Sequence, residues 1–120
     1  MIKFLVDTGA LGSSISEKEA TLMGIDIDSL PYFKGESVGF GGSFKPKIIN
    51  RPVTLTFESG KDSKKIRYDS GFKVTVVPPN TDPEERKKLL QYMPSVLGMD
   101  ILYKFRTCID ERTVELTYEG

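Results

Sequence analysis

The chain predicts a small, closed, mainly antiparallel β domain with short helices, and three features point there. Val53, Leu55 and Phe57 alternate with Thr54 and Thr56, which is the period of a half-buried strand. Phe72, Val74 and Val76 repeat that period on one face of a second extended stretch. Eleven Gly and seven Pro among 120 residues punctuate the remainder with turns. One domain over residues 1–120 is expected, because no linker or internal repeat divides a chain of ordinary domain length.

The elements follow in order. Residues 2–6 form a short apolar run suited to a strand entering the core, and residues 7–14 are rich in small, turn-forming side chains. Ser16 with Glu19 three positions on makes a capping box, so a helix is expected over residues 17–23, stopped by Gly24. Residues 25–35 read as an irregular connection. Residues 36–44 carry Gly39, Gly41 and Gly42 between Val38, Phe40 and Phe44, and read as a mobile hairpin. The strand at 53–57 is followed by a polar turn over 58–64 and an extended stretch over 66–77, broken near 69–71.

Asp82 caps a second helix over residues 83–92, with Pro83 in first position. Glu84 and Lys88 are spaced for an exposed ion pair, Leu89, Leu90 and Met93 supply apolar anchors, and Pro94 ends the helix. Val96 and Leu97 lead into Gly98 and a helical turn reaching Tyr103. Residues 105–109 and 113–118 then flank a charged turn as a hairpin.

Composition narrows the chemistry. Seventeen basic residues balance seventeen acidic ones, so no net charge draws the chain to nucleic acid or an anionic membrane. The absence of His removes Ser-His and Cys-His nucleophile pairs and His-based zinc sites. Cys108 stands alone, which excludes an internal disulfide, favours a reducing compartment and suits a small buried or half-buried side chain. No run approaches the roughly 18 apolar residues of a membrane span, and no signal peptide is evident. A cytoplasmic protein is expected.

One segment carries chemistry. The strand at 2–6 runs straight into Asp7-Thr8-Gly9, where Gly9 permits a sharp turn and the Thr8 hydroxyl can fix the loop. On spacing alone an Asx-type turn at a strand end and half of a paired-carboxylate site are both open. The motif FLVDTGALGSSI (residues 4–15) resembles the signature of retroviral-type, or retropepsin-like, aspartic peptidases. A second motif, VLGMDILYKF (residues 96–105), resembles that family's segment before the final strands, with Leu97, Gly98 and Asp100 at its defining positions. GFGG (residues 39–42) stands where the family carries its flap. The likeness spans about residues 2–118, as in a cellular prokaryotic or archaeal member.

The resemblance implies a closed acid-protease barrel and a homodimer in which each copy contributes Asp7 as its catalytic aspartate. It implies that Thr8 and Gly9 support the site, that Ala10, Leu11 and Gly12 line the substrate cleft, and that Val38, Gly39, Phe40, Gly41 and Gly42 form the flap over an extended peptide or protein. No metal or organic cofactor is needed. Many viral members pair an Asp after the Ala with an Arg after the Gly of the second motif. Here Leu11 and Met99 take those places, so these two are expected to touch or to line one side of the cleft. Six residues precede Asp7, where the family has a further strand, so either more chain precedes it or the dimer forms mainly through residues 114–120. The helix at 83–92 exceeds the viral connection, as a surface excursion or as a dimer or substrate element.

Two other functions are compatible with a chain of this kind. A non-catalytic peptide-binding or dimerisation module would use the same fold. Nucleic-acid binding would fall to Lys61, Lys64, Lys65 and Arg67, yet no aromatics interleave them as a stacking platform requires.

Overall fold

The computed structural model describes residues 2–34, 45–59, 62–109 and 114–118. Among them nine strands and three short helices succeed one another: β1 (Phe4–Val6), β2 (Ser14–Ser16), α1 (Glu17–Leu22), a 3-10 turn (Ile27–Ser29), β3 (Lys47–Ile49), β4 (Val53–Ser59), β5 (Asp62–Tyr68), β6 (Phe72–Thr75), α2 (Pro83–Tyr92), β7 (Ser95–Leu97), α3 (Met99–Leu102), β8 (Phe105–Ile109) and β9 (Val114–Tyr118).

Five strands form one sheet in the order β1-β7-β2-β6-β3, while β4-β5 and β8-β9 are antiparallel hairpins. Among the described residues four of the six strand pairings are antiparallel, as expected, while the expected barrel closure is not seen. The described strands make an open sheet and two hairpins rather than a closed barrel. The central sheet is also mixed, because β1 runs parallel to β7 and β2 runs parallel to β6. Periodicity reports which face of a strand is buried, not which strand lies beside it.

Local rules account for most boundaries. The Ser16 side chain accepts from the Glu19 N–H at 3.3 Å and starts α1, and Gly24 follows its end at a φ of +84°. Asp82 accepts from the Glu84 N–H at 3.2 Å and starts α2 with Pro83 in its first turn. Gly71, also at a φ of +84°, ends the break that separates β5 from β6. The expected polar turn at 58–64 is narrower, since β4 continues to Ser59 and β5 begins at Asp62. The strands β2 and β3 went unread because three residues are too few to display a period.

The core has two adjoining parts. Ile15, Ala20, Ile49, Phe72, Val74 and Val76 form one; Ile66, Leu97, Ile101, Leu102 and Phe105 form the other. Phe4, Leu55 and Tyr68 pack against both and join them. Full burial of a side chain such as Phe72 contributes about 2–3 kcal/mol. The helix α2 is fastened through Arg86, which donates to Glu17 at 2.7 Å. The other Glu17 oxygen accepts from the Val77 N–H at 3.3 Å, so the buried carboxylate ties α1 to α2 and to the end of β6. Glu84 and Lys88, by contrast, form no ion pair among the described residues.

Candidate active site

The strands β1 and β7 lie side by side and parallel, with Phe4, Leu5 and Val6 opposite Ser95, Val96 and Leu97. Both therefore end at the same level, one in Asp7 and the other in Gly98. The Asp7 N–H continues the ladder by donating to the Leu97 carbonyl at 3.0 Å. Phe4 and Val6 turn inward while Leu5 is about half exposed, so Asp7 leaves the sheet where core packing has already set the strand's orientation.

Beyond Asp7 the chain turns twice. Gly9 N–H donates to Asp7 Oδ1 at 2.9 Å, and Ala10 N–H donates to the Asp7 carbonyl at 3.2 Å. The Asx turn expected on spacing alone is thus present. It engages one carboxylate oxygen; Oδ2 accepts nothing and no cation pairs with Asp7 among the described residues. Asp7 is half-buried, whereas Thr8 and Gly9 are exposed.

The loop then crosses the end of β7 to reach β2, and Gly98 makes that crossing possible. A Cβ at Gly98 would lie 2.7 Å from the Gly12 carbonyl oxygen and 2.8 Å from that of Ala10. Those are backbone atoms that cannot swing aside, so only glycine fits. Next to it, Met99 N–H donates to Ala10 O at 2.8 Å and Asp100 N–H to Leu11 O at 3.1 Å. Leu11 and Met99 do stand on one side of the domain, as expected. Their side chains are 85% and 37% exposed, so no buried apolar contact takes the place of the viral ion pair.

Three polar side chains lock the crossing. Ser13 Oγ accepts from the Gly98 N–H at 2.8 Å and donates to Asp100 Oδ1 at 2.6 Å. Asp100 Oδ2 accepts from the Ser13 N–H at 3.1 Å and from the Tyr68 hydroxyl at 2.8 Å. Burial, then the Asp100 hydrogen bond and the Asp100 charge, push the Tyr68 hydroxyl well above the ordinary tyrosine range. Tyr68 therefore remains a proton donor. Leu97, Gly98 and Asp100 are the residues expected to be structural; Ser13 and Tyr68 were not foreseen. Tyr68 lies 32 residues from Asp100, and no local pattern distinguishes it.

The structure therefore brings together Asp7, Thr8, Gly9, Ala10, Leu11 and Gly12 with Gly98 and Asp100. Val38, Gly39, Phe40, Gly41 and Gly42, read as the flap, lie outside the described residues. So does the reading of Cys108 as buried, since its side chain in β8 is not among those described. No group of acidic or Cys side chains suited to a metal occurs among the described residues. An open pocket of about 400 Å³ lies elsewhere, lined by Glu17, Ile27, Tyr32, Lys47, Val77 and Arg86 among others, with none of residues 7–13 in its wall. No helix among the described residues is long and apolar enough to cross a membrane.

No protein-family model matches the chain, and no curated protein matches it significantly. Among solved structures the chain is similar to a retropepsin-like aspartic protease from Rickettsia conorii. The two share 28% identity over 98% of this chain and 74% of that one, with a TM-score of 0.54. The similarity supports a retropepsin-like fold, in keeping with a chain made mostly of strands with a few short helices.

Proposed function

We propose that the protein is a retropepsin-like aspartic endopeptidase that hydrolyses peptide bonds with two Asp7 side chains, one from each copy of a homodimer. The observation that carries this reading is the setting of Asp7. It is held at a strand end by the Leu97 carbonyl, in a loop whose Ala10 and Gly12 pack on Gly98, with Oδ1 engaged by Gly9 and Oδ2 open. Each chain supplies one such carboxylate, so a second copy is needed to complete a pair.

The mechanism follows from coupled titration. Two carboxylates held close together resist double ionisation and share one proton. A water held between them loses its proton to the ionised member as it attacks the scissile carbonyl. The protonated member donates a hydrogen bond to the oxygen that becomes negative. Identical residues thus take opposite roles without a metal or organic cofactor. Thr8, exposed beside Asp7, braces the loop against its counterpart, and Gly9, Ala10, Leu11 and Gly12 line the cleft for an extended peptide. We assign the protein to the cytoplasm, where the lone Cys108 needs no disulfide partner.

The test is peptide cleavage by the wild type and by Asp7→Asn, with oligomeric state followed in the same samples. Asp7→Asn is expected to lose about 10²–10⁴-fold in rate, and wild-type activity is expected to track dimer concentration. A strictly monomeric active protein would refute the shared site. Peptide binding that survives Asp7→Asn, from a wild type that never cleaves, would favour the non-catalytic peptide-binding module instead.

A further inference from the structure

We propose that Lys73 makes the cleft beside Asp7 selective for peptides that carry a Glu or Asp side chain close to the scissile bond. This rests on the reading of residues 10–12 as cleft wall. Lys73 lies in β6, opposite Ser14 of β2 and Ile48 of β3. Its neighbours Phe72 and Val74 are buried in the core, so alternation sends Lys73 to the other face of the sheet.

There its stem runs along Gly12. A Cβ built at Gly12 would lie 3.2 Å from Lys73 Nζ and 3.9 Å from its Cε. The missing side chain at Gly12 is what leaves room for the ammonium against the loop that carries Asp7. The same nitrogen lies 4.4 Å from the centre of the Phe33 ring, which steadies the cation without neutralising it.

Among the described residues the groups facing Lys73 are neutral: the Gly12 backbone, Ser14, Ile48 and Phe33. Among the described residues Lys73 forms no ion pair and no hydrogen bond. Asp100 accepts from Ser13 and Tyr68, and Asp7 accepts from Gly9 on one oxygen. A half-buried cation whose N–H donors no described residue engages gains most from an incoming carboxylate. An acidic peptide side chain fits this position; a basic one is repelled.

The experiment uses peptides that differ at single positions by Glu, Gln or Lys. Cleavage is measured with the wild type, and binding by fluorescence anisotropy with Asp7→Asn. At one position Glu is expected to be favoured over Gln by about five- to tenfold, less so at high salt. Adding Lys73→Met, which keeps the stem over Gly12 and Phe33, should abolish the difference, and Lys73→Glu should turn the preference toward Lys. Equal treatment of Glu and Gln at every position overturns the proposal, as does a preference that persists in Lys73→Met. Glu-selective binding without cleavage would leave this assignment standing while removing the peptidase reading. Absence of all peptide binding removes both.

Discussion

The loop from Asp7 to Ser13 has an inner and an outer face, and the molecule treats them differently. The inner face is fastened at every step. Ala10 O, Leu11 O and Ser13 Oγ each accept an N–H from residues 98–100, and Asp100 accepts back from Ser13. The outer face has almost nothing to hold. Thr8, Gly9 and Leu11 are exposed there, Met99 joins them at 37% exposure, and nearby Tyr103 is 85% exposed. Position is over-determined from beneath, while the other side faces outward. The fastening holds the Asp7 loop steady within one chain; under the dimer reading, a second molecule would give the outer side something to contact.

That contrast can be broken most forcefully at Gly98. Gly98→Ala is expected to destabilise the protein by about 2–4 kcal/mol, because the new Cβ would meet two backbone carbonyls at 2.7 and 2.8 Å. Urea unfolding measures it, and an unchanged midpoint would mean that the crossing is looser than its geometry.

A smaller effect is expected at Tyr68. Tyr68→Phe should cost about 0.5–1 kcal/mol, since a half-buried hydroxyl loses one hydrogen bond to a carboxylate. Its pH dependence has a definite sign. The hydroxyl keeps its proton longer folded than unfolded, where a tyrosine ionises near 10.0. Its contribution is therefore complete below that pH and is lost as pH rises through the higher folded value. The stability gap between wild type and Tyr68→Phe should narrow only on the alkaline side. A gap that narrows toward acid instead would contradict the assignment of Tyr68 as donor.

The smallest effect on the isolated chain is expected outside. Leu11→Ser and Tyr103→Ser should each change monomer stability by no more than about 0.5 kcal/mol, because both side chains are 85% exposed. Under the dimer reading the pair should nevertheless weaken self-association, which sedimentation measures. A double variant that dimerises as the wild type does would show that the outer face lies away from the partner.

Much of this was legible beforehand for identifiable reasons. Caps are local chemistry, so Ser16 and Asp82 announced the starts of α1 and α2. Alternation is local too, so the β4 face, the β6 face and the hairpin of β8 and β9 could be read directly. The pairing of β1 with β7 could not, because partners about 90 residues apart leave no shared period. Nor could the Ser13, Tyr68 and Asp100 network, whose members come from a loop, a strand and a helix far apart in the chain.

By itself, then, the sequence determined that a short apolar strand would end in Asp7-Thr8-Gly9 and turn there, because strand period and turn chemistry are written in neighbouring residues. The resemblance of residues 96–105 to a family motif also singled out Gly98 and Asp100 as structural positions. Tertiary structure alone decided that the Gly98 backbone passes close enough to Ala10 and Gly12 to forbid a side chain. It alone set Tyr68 on Asp100 and Lys73 beside Gly12. The reason is the same in each case: these contacts join segments distant along the chain, and their geometry exists only once the sheet has brought the strands together.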